Sequence, residues 1–312
     1  MKNKLRSFAF AGCALLLAAA VPSLTSCGSS EEPAAEAAKP ARSPAEDCLA
    51  AANAARAAAL EGRIGDLYGM LPASWQGDLD GQLRLLATKI DKPAFAQITG
   101  LAGELASLAD EKGDLIRECL KDEMIGVSTI DDAVLAGALR AVSEWKYEDF
   151  QAGNFNALFG DRRVAGLLAL VVRQAMEAND ASFSEFTFAD PSQTDRVTLR
   201  VTSTEAVYEW DADSKSAVRT VKTADETLDW ERFEDRWVPS VAIRPEGDWA
   251  DEGFKEGVWK LMMDDLRSQI DALSKSEISQ LTMGLGMARM VVPMIKQCET
   301  ADDLKRILRN FD

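Results

Sequence analysis

The 312-residue chain carries 35 Lys and Arg against 51 Asp and Glu, a formal net charge of −16, and contains no histidine. Acidity on this scale opposes contact with phosphate backbones, which excludes nucleic acid as a partner. The missing imidazole removes the commonest general base and metal ligand, so serine triads, papain-like dyads, most catalytic zinc sites and His-ligated haem are excluded, and no cofactor or metal is expected.

Lys2, Lys4 and Arg6 precede an apolar run from Phe8 to Leu24, with small residues before Cys27. This is the layout of an export signal over residues 1–26. Gly12 and Pro22 interrupt the run, which is shorter than the roughly 20 residues needed to span hydrocarbon. The tetrapeptide Leu24-Thr25-Ser26-Cys27 resembles the lipobox of bacterial lipoproteins. That resemblance implies diacylglycerol on the Cys27 sulfur, cleavage before it, and a protein held to a membrane of the cell envelope by its lipid. Gly28, in place of Asp, implies the outer membrane where the host has two. Residues 27–45 contain Ser, Glu, Ala, Lys and Pro but no large apolar residue, the composition of a disordered tether. As a flexible coil it spans roughly 25 Å root-mean-square.

From Glu46 to about Asn179 the pattern is helical. An Ala-rich helix over Asp47–Leu60 stops at Gly62, and a second follows Pro72 from Ala73 to Ile90. Asp91 caps a run through Leu108, Gly113 precedes a further helix over Asp114–Met124, and Thr129 with Asp132 opens one to about Trp145. The stretch VAGLLALVV, Val164 to Val172, is apolar on all sides and reads as a buried core helix. The period then changes to two. Phe186 and Phe188, Val197, Leu199 and Val201, and Leu228 and Trp230 alternate with polar neighbours, predicting about three to five antiparallel strands between Ser182 and Ile243. A hairpin is expected to turn near Glu234-Asp235, with Trp230 and Trp237 facing one core. Helices resume from Trp249 to Leu273; Ser274 with Glu277 caps a hydrophobic helix to about Gln297, and Thr300 with Asp303 caps a last one. Segregated helices and strands predict an α+β fold: an N-terminal helical region, an antiparallel meander and C-terminal helices. The expected divisions are 46–180, helical, and 181–312, sheet plus C-terminal helices; packing of the two as one domain is left open.

Cys48, Cys119 and Cys298 remain after the leader and the lipidated cysteine, and with Cys48 and Cys119 both in the helical half they are the expected disulfide pair. No CxxC or metal-type spacing occurs. Met283, Met287, Met290 and Met294 fall four, three and four apart, one stripe of a helix. Because Leu281, Leu285, Ala288 and Val292 make the other side apolar too, the first expectation is a helix buried all round. The alternatives are lining for an apolar ligand and soft thioether sites for Cu(I). Asp78-Leu-Asp80-Gly81 and Asp211-Ala-Asp213 open like calcium loops but have Lys at the twelfth position, so solvated turns are expected. Trp75 is expected to be partly exposed. Without imidazole, catalysis would run on carboxylates, Lys, Tyr or Cys, and carboxylate pairs such as Glu252 with Glu256, or Asp264 with Asp265, are candidates for acid and base work, expected mostly as exposed helix faces.

No catalytic motif is complete, so no catalytic residue is assigned. The chain reads as a lipid-anchored exported protein whose body is a non-enzymatic binding or structural module, partnered by the membrane and by an envelope protein or apolar ligand. The alternatives are a lipid or apolar-ligand carrier whose cavity is lined by the methionine stripe, and a carboxylate-based hydrolase of envelope glycans.

Overall fold

The computed structural model describes residues 43–120, 132–189, 196–211, 216–245 and 255–308. Residues 1–42, which include the expected leader, Cys27 and most of the expected tether, lie outside them, as do Thr129 and Trp249. The fold is α+β, with helices before and after one antiparallel sheet. The chain forms two compact units. Among the described residues, one gathers 43–59, Asp66–Ala73 and Met176–Leu261, and the other holds Leu60–Gly65, Ser74–Ala175 and 262–308.

In the first unit the sheet is built on a long hairpin. Strands β1 (Ser182–Phe183) and β2 (Thr187–Phe188) both pair with β3 (Arg196–Asp211), which pairs along its length with β4 (Ser216–Phe233), and β4 pairs with β5 (Arg236–Pro239). Five strands fall at the upper end of the expected number. The expected hairpin is present: Glu234 (φ 49°) and Asp235 (φ 62°) both take left-handed conformations, the signature of a two-residue type I′ turn. The register sets Val197 opposite Trp230 and Leu199 opposite Leu228. These four side chains, with Val201, Phe186 and Trp237, face the first helix, α1 (Pro44–Leu60), through Ala45, Cys48, Ala51 and Ala52. Phe186 meets Trp230 edge to face at 5.8 Å. Small side chains on α1 bring its backbone close to the strands. Asn53 therefore reaches the Phe186 backbone, donating to its carbonyl at 3.1 Å and accepting its N–H at 2.7 Å, and Arg56 Nε donates to Phe183 O at 3.1 Å.

Helix α1 starts inside the segment expected as tether. Ser43 and Glu46 form a capping box, with Glu46 N on Ser43 Oγ at 3.3 Å and Ser43 N on Glu46 Oε2 at 2.7 Å, and Pro44 takes the first helical position. Short α2 (Ile64–Met70) follows Gly62, whose φ of 63° ends α1 where expected.

The second unit packs α3 (Ala73–Ala87), α4 (Lys92–Leu120), α5 (Asp132–Ser143), the short α6 (Tyr147–Ala152) and α7 (Phe155–Phe159), and most of α8 (Arg162–Ala178). An aromatic cluster joins α4 to α6: Phe95 stacks on Phe150 at 5.0 Å and meets Tyr147 edge-on at 5.5 Å. Asp91 caps α4 as expected, accepting Ala94 N at 2.9 Å. The break anticipated at Gly113 is absent, and α4 is one helix of 29 residues. A glycine in a helix costs about 1 kcal/mol, and contacts on both sides offset it: Lys112 Nζ donates to Cys298 O at 2.9 Å, while Leu115 and Ile116 pack with Cys298 and Leu304. In α8 only Val164, Ala165 and Ala169 of the apolar stretch are buried and Val171 is 50% exposed, so this helix is covered on one side and is not the expected core helix. Trp75, expected to be partly exposed, is buried.

After α9 (Ser240–Ile243) the described residues form three further helices: α10 (Val258–Ala272), α11 (Lys275–Lys296) and α12 (Ala301–Leu308). From Met262 onward they belong with the second unit.

Candidate interaction face on helix α11

Local chemistry explains why α11 forms. Ser274 and Glu277 make the expected capping box, with Glu277 N on Ser274 Oγ at 3.2 Å and Ser274 N on Glu277 Oε2 at 2.8 Å. Accepting the Ser274 N–H and hydroxyl holds the Glu277 carboxyl below its ordinary range. The helix then runs 22 residues, through Gly284, Gly286 and Pro293.

One side of α11 packs on α4. Arg289 Nε donates to Glu104 Oε1 at 2.9 Å and Lys296 Nζ to Glu111 Oε1 at 3.0 Å, while Ile295 joins Leu115, Ile116 and Cys298. Val292 is the one described residue of α11 that is buried. At about 100° per residue, Ile278, Thr282, Arg289, Val292 and Lys296 fall on this side, and the four methionines centre about 150° away. They are correspondingly open: Met283 is 63% exposed, Met287 49%, Met290 65% and Met294 40%. The expectation of a helix buried all round is therefore corrected. Gly284 and Gly286, flanking the stripe, have nothing within 4 Å of a Cβ added to them. Glu277, Arg289 and Lys296 are the only charges between Ser276 and Gln297, and none falls on the outward half of the helix. Among the described residues α11 is the one helix long and apolar enough to cross a membrane by length and composition, with 6% of that window buried.

The methionines border neither of two grooves in the second unit. One, of about 410 Å³, is open and bordered by Asp110, Glu111, Lys112, Asp114 and Glu299; the other, of about 350 Å³, lies between Lys89, Asp91 and Pro93 on one side and Lys275, Ser279 and Thr282 on the other. Both grooves lie open to solvent, and neither encloses a ligand. Among the described residues no group of three His, Cys, Asp or Glu could hold a metal ion.

Other residues singled out in the sequence are dispersed. Cys48 is a free thiol at 0% exposure inside the α1–sheet core, and burial raises its pKa strongly. That does not support the expected bridge to Cys119, which sits in α4 with its side chain outside the described residues. Cys298 is also free and buried. Asp78 and Asp80 lie within α3, not in a turn, and Asp80 Oδ1 accepts Phe155 N at 3.2 Å. Asp264 and Asp265 are exposed on α10, with Asp265 accepting Gln269 Nε2 at 2.7 Å. Glu256 is ion-paired with Lys260 at 2.5 Å, and Glu252 lies outside the described residues. Trp230 and Trp237 are buried as expected, as is Trp259.

What the periodicity did not reveal is the outward aim of the stripe. The available signal was the charge pattern: a helix packed on one side normally carries charges on the half turned to water, and from Ser276 to Gln297 no charge falls on the methionine side of α11. Comparison of the chain with protein-family models, curated proteins and solved structures finds no match.

Proposed function

We propose that this chain is a lipid-anchored protein of the cell envelope that works by association, without catalytic turnover, and that the outward face of α11 is its associating surface. The lipobox-like Leu24-Thr25-Ser26-Cys27 and the polar segment behind it support the anchor. The lack of histidine and of any complete catalytic motif supports a binding role. The observation that carries the reading is the row Met283, Met287, Met290 and Met294, 40–65% exposed on a helix half that bears no charge. Exposed apolar surface that is contiguous and rimmed by polar residues marks interaction sites. Flexible thioether side chains suit a partner surface that is not rigidly defined. Carriage of an apolar ligand and glycan hydrolysis draw less support, since the methionines point away from the grooves and the Asp264–Asp265 pair stands on exposed helix surface.

The anchor is tested by growth with radiolabelled palmitate and fractionation of cells. Label is expected in the wild-type protein and lost in Cys27→Ala, which leaves the membrane fraction. An unlabelled wild-type chain, or a variant equally membrane-bound, overturns the proposal.

A further inference from the structure

Resting on the lipid-anchored reading, we infer that the outward face of α11 lies against the bilayer that holds the anchor, as a second and reversible contact that orients the protein. The chemistry of the face selects this occupant over another protein. Protein interfaces concentrate their energy in Trp, Tyr and Arg, and the outward half of α11 has none of these, only methionines flanked by Gly, Ser, Gln, Val and Pro. Such a face offers apolar area with little directional bonding, which is what a fluid hydrocarbon boundary accepts. From Met283 to Met294 the stripe runs about 16 Å along the axis. Amphipathic helices lying in the interface bury one apolar face about 5–10 Å deep, the depth of a single layer of methionine side chains. The opposite half, which in a free amphipathic helix would be charged and wet, is here ion-paired to α4 through Arg289 and Lys296.

The chain ahead of the described residues places the body within reach. Fifteen residues separate Cys27 from Ser43, a length that as a flexible chain would span roughly 21 Å. A tether of that length keeps the local concentration of membrane in the millimolar range or above, so a face too weak to bind from solution is occupied. Two or more acyl chains already hold the protein; α11 sets which side meets the lipid. The excess of Asp and Glu over Lys and Arg works against headgroup attraction, so the contact depends on the methionines.

The test uses the lipidated full-length protein in phosphatidylcholine vesicles, with an environment-sensitive fluorescent amino acid replacing Met287 and, in a second protein, the exposed Ser268 of α10. Doxyl-labelled lipids are expected to quench the probe at 287 several-fold more than the probe at 268. Adding Met283→Lys and Met290→Lys to the 287 probe protein abolishes that quenching while Cys27 keeps it on the vesicles. Vesicle-bound protein whose 287 probe is unquenched, or is shielded only after a second protein is added, overturns this inference and leaves the anchor standing. Protein that fails to bind the vesicles and lacks palmitate overturns both.

Discussion

Helices α1 and α11 carry comparable apolar stripes and meet opposite fates. In α1 the stripe is alanine and cysteine, and Ala45, Cys48, Ala51, Ala52, Ala55 and Ala58 are all buried. In α11 the stripe is methionine, and only Val292, on the other side, is buried. Small side chains let α1 settle against the sheet closely enough for Asn53 and Arg56 to bond strand carbonyls. The larger methionines project into space that no described residue fills. Apolar periodicity therefore specifies a helix and the direction of its stripe, whereas what covers the stripe depends on the rest of the chain or on a partner.

The sharpest way to break this contrast is at the core α1 covers. Trp230 is at 0% exposure between Phe186 and the α1 alanines. Trp230→Ala is expected to cost about 3–5 kcal/mol, read from the urea midpoint. A cost below that of an ordinary surface change would mean that α1 and the sheet do not share a core.

Next in size is the fit of α1. Ala52, at 0% exposure, leaves no room for added methylenes. Ala52→Leu is expected to destabilise by about 1–3 kcal/mol through overpacking, although leucine is the more hydrophobic residue. Stabilisation by this change would show the α1–sheet contact to be loose. At the start of the same helix, Ser43→Ala removes one half of the capping box and is expected to cost about 1 kcal/mol. An unchanged thermal midpoint would mean that the helix starts later, as the tether boundary at residue 45 implied.

Much of this was legible before the structure. The α+β order, the turn at Glu234-Asp235, the shared core of Trp230 and Trp237, and the boxes at Ser274 and Thr300 follow from local rules, because a turn or cap is settled by a few neighbouring residues. Thr300 Oγ1 accepts Asp303 N at 3.2 Å as the spacing required. The misses are of another kind. Ser43-Pro44-Ala45-Glu46 was readable as a cap and was masked by the polar composition around it. Gly113 stays helical because Leu115, Ile116 and Lys112 find partners far along the chain. The burial of Trp75 and the exposure of the methionines likewise depend on distant residues, which spacing within one element does not encode.

Smaller effects are expected on α11. Gly286 has open space around its Cα, so Gly286→Ala is expected to stabilise by about 0.4–1 kcal/mol by restricting the unfolded chain. A loss of stability instead would reveal an element packed over this side of the helix.

The smallest change is the most diagnostic. Met287 and Met290 are 49% and 65% exposed, so unfolding transfers little additional thioether surface to water and the usual core penalty does not arise. Met287→Ser with Met290→Ser is expected to leave the unfolding free energy within about 0.5 kcal/mol per site, as for surface substitutions generally. The same variant removes most of the apolar area of the outward face, so vesicle contact through α11 falls while the fold persists. Were the pair to cost as much as Ala52→Leu, the methionines would belong to a core and α11 would resemble α1.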